Sequence, residues 1–343
     1  SKQAMWLCCV VFLGVCRLAA PISTAKVLSS DPHPVVSFVD GSTAWQQAFN
    51  PSWVASSPAT GGVDGLLVRV QNCTAVPGGA CAHCKGSGQN ASHIAFARRL
   101  GQTSSGAPVF APLTADDVVF APTTSLETYG VEDPRLVFDN MTQTYWLMYT
   151  CFSPTSVLLC LASTADPTSA AGWTRHGPVF PSIQGSKSGA LLIRSTPPHF
   201  LFWGAGEVRV AASTNLSSWE EGKLFLEPRK GYFDSALVES GPPPLPLSSG
   251  DYVFFYNGMD DTGLYRPGYV ILSGQNPSVI LARSSSPLAL PSEVWEDGVS
   301  PYTCNVANVT FLEAAEPLGN DAFRIYFGGA DAVVGTAVVE VSD

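Results

Sequence analysis

Apolar positions in this chain fall in short runs separated by Gly, Pro and polar clusters, and no 3.6-residue periodicity is sustained long enough to predict a helical domain. One kind of run recurs. It is apolar, rich in aromatic residues, and often ends in Gly or a polar residue: LLVRVQN (66–72), YWLMYTC (145–151), HFLFWGA (199–205), YVFFYNG (252–258) and FRIYFGG (323–329). A second short strand carrying a small residue follows each copy, near Ala97, Ala162, Ala212, Ala282 and Ala337. Several copies then show a Trp before a return strand, at Trp173, Trp219 and Trp295. A strand–turn–strand–turn unit of about 60 residues cannot bury its apolar faces alone. Radial repetition of four-stranded sheets solves that problem. The five copies therefore predict an all-β fold, a five-bladed β-propeller, with the N-terminal strands completing the last blade. An all-β sandwich in two domains is the competing arrangement. Innermost propeller strands line a central funnel, which directs attention to the polar residues flanking the repeats.

The first residues read differently. Met5 to Val15 (MWLCCVVFLGV) has the length of a signal-peptide core and is followed by small residues at Ala19, Ala20 and Ala25. Arg17 ends the run short of a membrane span, which needs about 20 apolar residues, and no later stretch is long enough. The chain divides on this reading into a signal peptide, residues 1–25, and a single propeller domain, residues 26–343. The expected location is outside the cell or in the lumen of the secretory pathway. A buried N-terminal strand is the alternative for the leading segment. Removing it takes away Cys8, Cys9 and Cys16 and leaves Cys73, Cys81, Cys84, Cys151, Cys160 and Cys304. An even number suits disulfides in an oxidising compartment. Cys151 and Cys160 flank a short loop between two apolar runs and are expected to bond across a hairpin. Cys81-Ala-His-Cys84 has zinc-like spacing but no second ligand pair, which favours a disulfide over a metal. Asn72, Asn90, Asn140, Asn215 and Asn308 each head a glycosylation sequon.

Composition narrows the function. Charged residues make up 13% of the 343, against about 25% in ordinary soluble domains. The net charge is −10, and loss of residues 1–25 removes Lys2 and Arg17 but no acid. A role coating nucleic acid needs a basic face and is excluded. The 45% hydrophobic content suffices for a packed core, so the chain does not read as disordered. Walker, G-x-S-x-G and H-E-x-x-H motifs are absent, and the five histidines are scattered.

Candidate chemistry concentrates in residues 129–135, Tyr-Gly-Val-Glu-Asp-Pro-Arg. Pro134 fixes its own φ and biases Asp133 toward an extended conformation. Arg135, two positions beyond Asp133, could share a strand face with it. Taken alone, the segment could be a turn with a structural ion pair. It resembles, however, the Glu-Asp-Pro-Arg signature of glycoside hydrolase family 130, the β-mannoside phosphorylases and β-mannosidases. KSGAL (187–191), FWGAGEVRVAASTNLSSWEE (202–221), PRKGYFDSALVESGPPP (228–244), YVFFYNG (252–258), NPSVILARSSSPLALP (276–291) and YFGGADAVVGTA (326–337) follow in the family's order. With GLLVRVQN (65–72), the resemblance runs from about residue 48 to 340. The family's fold is a five-bladed propeller, in agreement with the repeat count.

The resemblance implies a role for each matching residue. Asp133 takes the position of the general acid, which passes its proton to the glycosidic oxygen through a sugar hydroxyl. One carboxylic acid suffices because the nucleophile comes from solution on the opposite face, and the outcome is inversion. Glu132 helps to shape the −1 sugar site. Arg69, Arg135, Asp234 and Asp331 match sugar-contacting or orienting positions, where carboxylates and guanidinium groups hold vicinal hydroxyls. Asn50, in Phe-Asn-Pro, is a further polar position near the funnel. For Asn50, Arg69 and Asp331, hydrogen bonding at strand ends is the competing role.

The open choice is between phosphate and water as nucleophile. Where phosphorylases of the family typically read Tyr-His-Gly, this chain has Tyr256-Asn257-Gly258; where many read Lys-Ile-Gly, it has Leu237-Val238-Glu239-Ser240. A neutral Asn and an acid thus replace cationic groups. Glu239 would repel phosphate and could instead activate water as a general base. Glu207 is a second base candidate. Lys187 and Arg229 remain as anion binders, which keeps phosphorolysis open, with inorganic phosphate as co-substrate; otherwise neither cofactor nor metal is expected. The expectation is a secreted inverting glycosidase of β-1,2- or β-1,4-mannosidic linkages acting on an oligosaccharide or mannan. Neither a nucleic-acid partner nor a membrane span is expected, and the oligomeric state is left open. Rival readings are a β-mannoside phosphorylase, a carbohydrate-binding propeller without catalysis, and a furanosidase-type propeller. The last would need an acid early in blade one, where Asp31 and Asp40 have no convincing context.

Overall fold

The computed structural model describes residues 24–38, 45–72, 90–288, 293, 295–296 and 306–342. Most of the expected signal peptide, Asp40, Cys73, Cys81, Cys84 and Cys304 lie outside the described residues.

Five antiparallel sheets form the blades of a propeller. Blade 1 pairs Gln47–Val54, Gly65–Gln71 and His93–Gln102 with short outer strands Pro108–Phe110 and Val118–Phe120. Blade 2 contains Gly130–Asp139, Thr144–Ser153, Ser156–Thr164 and Thr174–Pro178. Blade 3 contains Ala190–Leu192, His199–Trp203, Val208–Ser213 and Lys223–Leu226. Blade 4 is built on Leu237–Ser240, Tyr252–Met259, Tyr265–Leu272 and Ile280–Arg283, with two-residue additions at Ala205–Gly206 and Leu245–Pro246. Blade 5 has Thr310–Gly319, Ala322–Gly329 and Val333–Ser342, and its fourth strand is N-terminal, Thr24–Ser30. An N-terminal strand thus completes the last blade, as the repeat predicted. Thr24 and Ala25, counted with the leader on sequence grounds, pair here with Ser342 and Val341.

Each repeated aromatic run is the second main strand of its blade. These strands are covered on both faces by neighbouring blades, so they read as continuous apolar runs instead of alternating ones. Leu66, Leu67 and Val68, for example, are all fully buried. The outermost strands face solvent on one side, and Lys223–Leu226 is correspondingly half exposed. Five apolar clusters sit between successive blades, one at each junction, including that between blades 5 and 1. A two-domain sandwich would not close in this way.

Two details of the repeat shift. Ala282 lies on the fourth strand of blade 4, not the third. The small residue of the third strand is Gly268, where a Cβ would strike the Phe233 and Tyr256 rings. Trp295 precedes no return strand among the described residues. Its indole stacks on Phe327 and donates to the Pro32 carbonyl at 3.1 Å, closing the edge of blade 5. Cys151 and Cys160 form the expected disulfide between adjacent strands of blade 2.

The first strands touch one another around the axis, that of blade 1 against those of blades 2 and 5. Two of them carry bulges at an X-Pro step, between Phe49 and Pro51 in blade 1 and between Glu132 and Arg135 in blade 2. Bulges re-aim side chains, and these two build the site.

Candidate active site

Asn50 and Asp133 occupy the same place in consecutive blades, each before a proline and each with left-handed backbone, φ 48° and 53°. The extended conformation expected for Asp133 is therefore overturned. The bulge places Asp133 where its carboxylate takes two strong hydrogen bonds that offset the backbone strain. Asn50 Nδ2 donates to Asp133 Oδ1 at 2.9 Å, and Arg69 donates to the same oxygen at 2.9 Å. Both donors hold Oδ1, which leaves Oδ2 for a ligand. Arg69 also donates to Glu132 Oε1 at 2.6 Å, and its Nε is shared by Gln71 and Ser92.

A cavity of about 580 Å³ opens over this cluster. Its charged lining is Arg69, Glu132, Asp133, Lys187, Glu239 and Asp331, contributed by strands and turns of all five blades. Asn50 completes the set, so seven of the eleven candidate residues meet in one place. On the far side, Lys187 Nζ lies 2.9 Å from Glu239 Oε1, and the Ser188 hydroxyl donates to that same oxygen. Ser188 also has positive φ, 56°, as does Asp331, 50°. Glu239 thus mirrors Asp133: one oxygen is held by two donors and the other is free of them.

Burial opposes every charge here, and neighbours decide which survive. Burial pushes Asp133 up, but Arg69, Lys187, Arg135 and the Asn50 amide outweigh it and hold the carboxyl at about 2. Glu132, next to it, is pushed up by burial against the pull of Arg69, so the adjacent pair titrates jointly. Asp331 is raised to about 7 by burial, with Arg69 only partly compensating. Glu239 is the main reason that Lys187 stays firmly protonated. Burial lifts the Tyr265 phenol, also in the lining, to about 12, which keeps it a neutral donor.

Four predicted residues lie elsewhere. Arg135 sits beneath the floor: the bulge separates it from Asp133, and it donates to the Ser240 and Gly241 carbonyls and to Glu313 at 2.7 Å. It positions the Asp133 backbone, whose carbonyl it reaches at 3.3 Å, and does not face the cavity. Asp234 is fully buried and held by Arg229, Arg283 and the Tyr256 hydroxyl. That also commits Arg229, which is therefore not free to bind an anion. Asn257 clamps the Leu312 backbone, donating to its carbonyl at 2.9 Å and accepting from its amide at 2.7 Å. Glu207 is exposed, lies outside the cavity lining and is bonded to Arg209 at 2.9 Å. Residues not anticipated include Ser188, the second residue of the quoted KSGAL motif, and Thr150, Phe152, Val157, Tyr265, Val309 and Phe311. None of these six carries a local signal, because strand register from other parts of the chain brings them to the cavity. Among the described residues no group of three His, Cys, Asp or Glu side chains could hold a metal ion.

Comparison with known proteins agrees with this architecture. Residues 92–343 match the family model of glycoside hydrolase family 130, described as β-1,4-mannooligosaccharide phosphorylase. A 1,2-β-oligomannan phosphorylase of a Thermoanaerobacter species is 30% identical over 234 residues, which cover 66% of this chain and 74% of that protein. The crystal structure of a glycosyl hydrolase from Bacteroides ovatus superposes with a TM-score of 0.71 at 24% identity, covering 93% of this chain and 94% of the other. A second structure, presented as showing that this family of mannoside phosphorylases contains glycoside hydrolases that target β-1,2 mannosidic linkages in Candida mannan, gives 0.72 at 23% identity, with coverage of 93% and 94%. At these identities the two structures speak for the fold. With the family model matched over most of its length, the chain belongs to glycoside hydrolase family 130, the mannoside phosphorylases and glycosidases.

Proposed function

We propose that the protein hydrolyses β-mannosides with inversion, using Asp133 as the acid and Glu239 as the base that activates water. The observation that carries this reading is the pairing of Lys187 with Glu239 inside the cavity. Four carboxylates face two cations in the lining, and both cations are already engaged. A phosphate about 4 Å from an ionised carboxylate is repelled by about 4 kcal/mol per unit charge at an effective dielectric of about 20. Water meets no such barrier. The two carboxylates belong to blades 2 and 4, on different sides of the funnel, which suits attack on the face opposite the leaving group.

In the ligand-free protein Asp133 is ionised, held down first by Arg69, then by Lys187, Arg135 and the Asn50 amide, and of these Arg69 and Asn50 donate to its carboxylate directly. A mannosyl unit whose hydroxyls take over those donors removes that stabilisation and lets Asp133 hold a proton when the glycosidic bond breaks. Glu132, Asp331 and Tyr265 supply acceptors and donors for the remaining hydroxyls. Secretion fits this reading, because phosphorolysis conserves bond energy that is useful inside cells; the apolar leader and the sequons support it.

A second reading, phosphorolysis, is favoured by the names of the curated relatives, a 1,2-β-oligomannan phosphorylase and β-1,2-mannobiose phosphorylases. The two part on one experiment. Purified protein is given β-1,2- and β-1,4-mannobiose with and without phosphate. Free mannose formed equally in both supports hydrolysis, and mannose 1-phosphate formed only with phosphate overturns it.

A further inference from the structure

Asn50 meets Asp133 through its amide nitrogen, and the surface behind that amide fixes how it can lie. An ionised carboxylate only accepts hydrogen bonds, so the carboxamide must turn Nδ2 toward Asp133 and Oδ1 away from it. Oδ1 is buried there and has no hydrogen-bond partner among the described residues. What it meets is Gly328, on the second strand of blade 5. A Cβ built on Gly328 would strike Oδ1, and the next nearest atoms are the backbone nitrogen of Asn50 at 3.3 Å and its Cγ at 3.4 Å. All three atoms belong to Asn50, which therefore fills the space of the missing side chain.

Asn50 has little freedom to step aside. Its left-handed φ is set within the bulge between Phe49 and Pro51, and the neighbouring Ala48 amide donates to the Ala332 carbonyl of blade 5 at 3.0 Å. Gly328, by contrast, is not one of the glycines with positive φ, so its backbone would accept an alanine without strain. Inside a strand Ala is ordinarily the more stable residue. A glycine in such a place marks a close approach of another part of the chain, and here the approaching residue is a donor to the acid. Resting on the reading of Asp133 as that acid, we propose that Gly328 is a positioning residue for catalysis: its bare Cα lets blade 5 hold the Asn50 amide against the Asp133 carboxylate. A methyl group at 328 would lift or rotate the amide and take Nδ2 off Oδ1, leaving Arg69 as the donor to that oxygen.

Wild type, Gly328→Ala, Asn50→Ala and the double variant form a cycle that tests this. Each is assayed on the mannobiose, with or without phosphate, that wild type cleaves, and each is unfolded in urea. Gly328→Ala is expected to lower kcat about 10–100-fold, the order that a misplacement of about 1 Å costs. The double variant should stay within about twofold of Asn50→Ala, because the amide to be displaced is already gone. In urea, Gly328→Ala should lower the midpoint when Asn50 is present and leave it unchanged or raised when Asn50 is Ala. If Gly328→Ala alone does not fold, recovery of folded protein on adding Asn50→Ala supports the assignment and failure to recover overturns it. Wild-type kcat in Gly328→Ala, or losses of kcat and of midpoint that simply add in the double variant, also overturn it. Full activity in Asp133→Asn would defeat the acid reading instead, and the urea cycle would still report on the contact between Gly328 and Asn50.

Discussion

Asp133 shows how much of the site depends on one backbone angle. Its left-handed φ and the bulge beneath it turn the carboxylate toward Asn50 and Arg69 instead of along the strand. Asp133→Asn is expected to lower kcat on mannobiose by about 10²–10⁴-fold, the usual contribution of a positioned acid, with an unchanged circular-dichroism spectrum; retained activity would remove Asp133 from the acid role. Asp331 supplies a pH prediction. Its pKa is raised from 3.8 to about 7, so between those values the native state holds more protons than the unfolded one and stability falls as pH rises. Asp331→Asn should therefore raise the melting temperature clearly at pH 8 and little at pH 4. A shift that is equal at both pH values would contradict burial as its cause. The sequence made the Glu132-Asp133-Pro134-Arg135 segment legible, yet not the directions of its side chains. Proline statistics argue for an extended Asp133, and only the bulge, set by pairing with Thr144–Ser153, reverses that. Glu207 likewise falls outside the cavity lining, exposed and held by Arg209.

At the scale of elements, the second main strands of the blades were the most legible part of the molecule, because burial on both faces writes a continuous apolar run into the sequence. The first strands, which carry Asn50, Glu132, Asp133 and Glu239, were less so. Gln47–Val54, Gly130–Asp139 and Thr310–Gly319 are bulged and mixed in polarity, and Ala190–Leu192 and Leu237–Ser240 have only three and four residues. Asn257 marks the cost of reading a second strand as part of the site. It stands in register with Glu239, but its amide turns to the neighbouring blade and ties Leu312 of blade 5 to blade 4. Asn257→Ala leaves two buried backbone groups unpaired, each costing about 1–3 kcal/mol. A loss of about 2–4 kcal/mol in denaturant unfolding is expected, with KM for mannobiose unchanged. A large rise in KM with unaltered stability would return Asn257 to the binding site.

The whole molecule is a ring of five blades with an apolar cluster at each junction, and its closure has two parts. Blade 5 packs on blade 1 through Tyr326, Val334, Leu66 and Val68, while Thr24–Ser30 covers the outer edge of Val333–Ser342. The second part is mostly exposed and contributes nothing to the cavity. Deleting residues 24–30 should lower the melting temperature and promote association through the bared strand edge, with kcat retained; loss of kcat would mean that this strand shapes the funnel. The low charge and the Gly, Pro and aromatic content of the chain are accounted for by many short strands and turns around one site. The central claim about that site is that water, activated at Glu239, attacks the mannosyl carbon opposite Asp133. Its most direct test is to cleave β-mannobiose in ¹⁸O-water with phosphate present and to follow the first-formed product by NMR and mass spectrometry. The account predicts α-mannose carrying ¹⁸O at its anomeric carbon, beside unlabelled mannose from the reducing end; α-mannose 1-phosphate, or ¹⁸O-labelled mannose first formed as the β anomer, would contradict it.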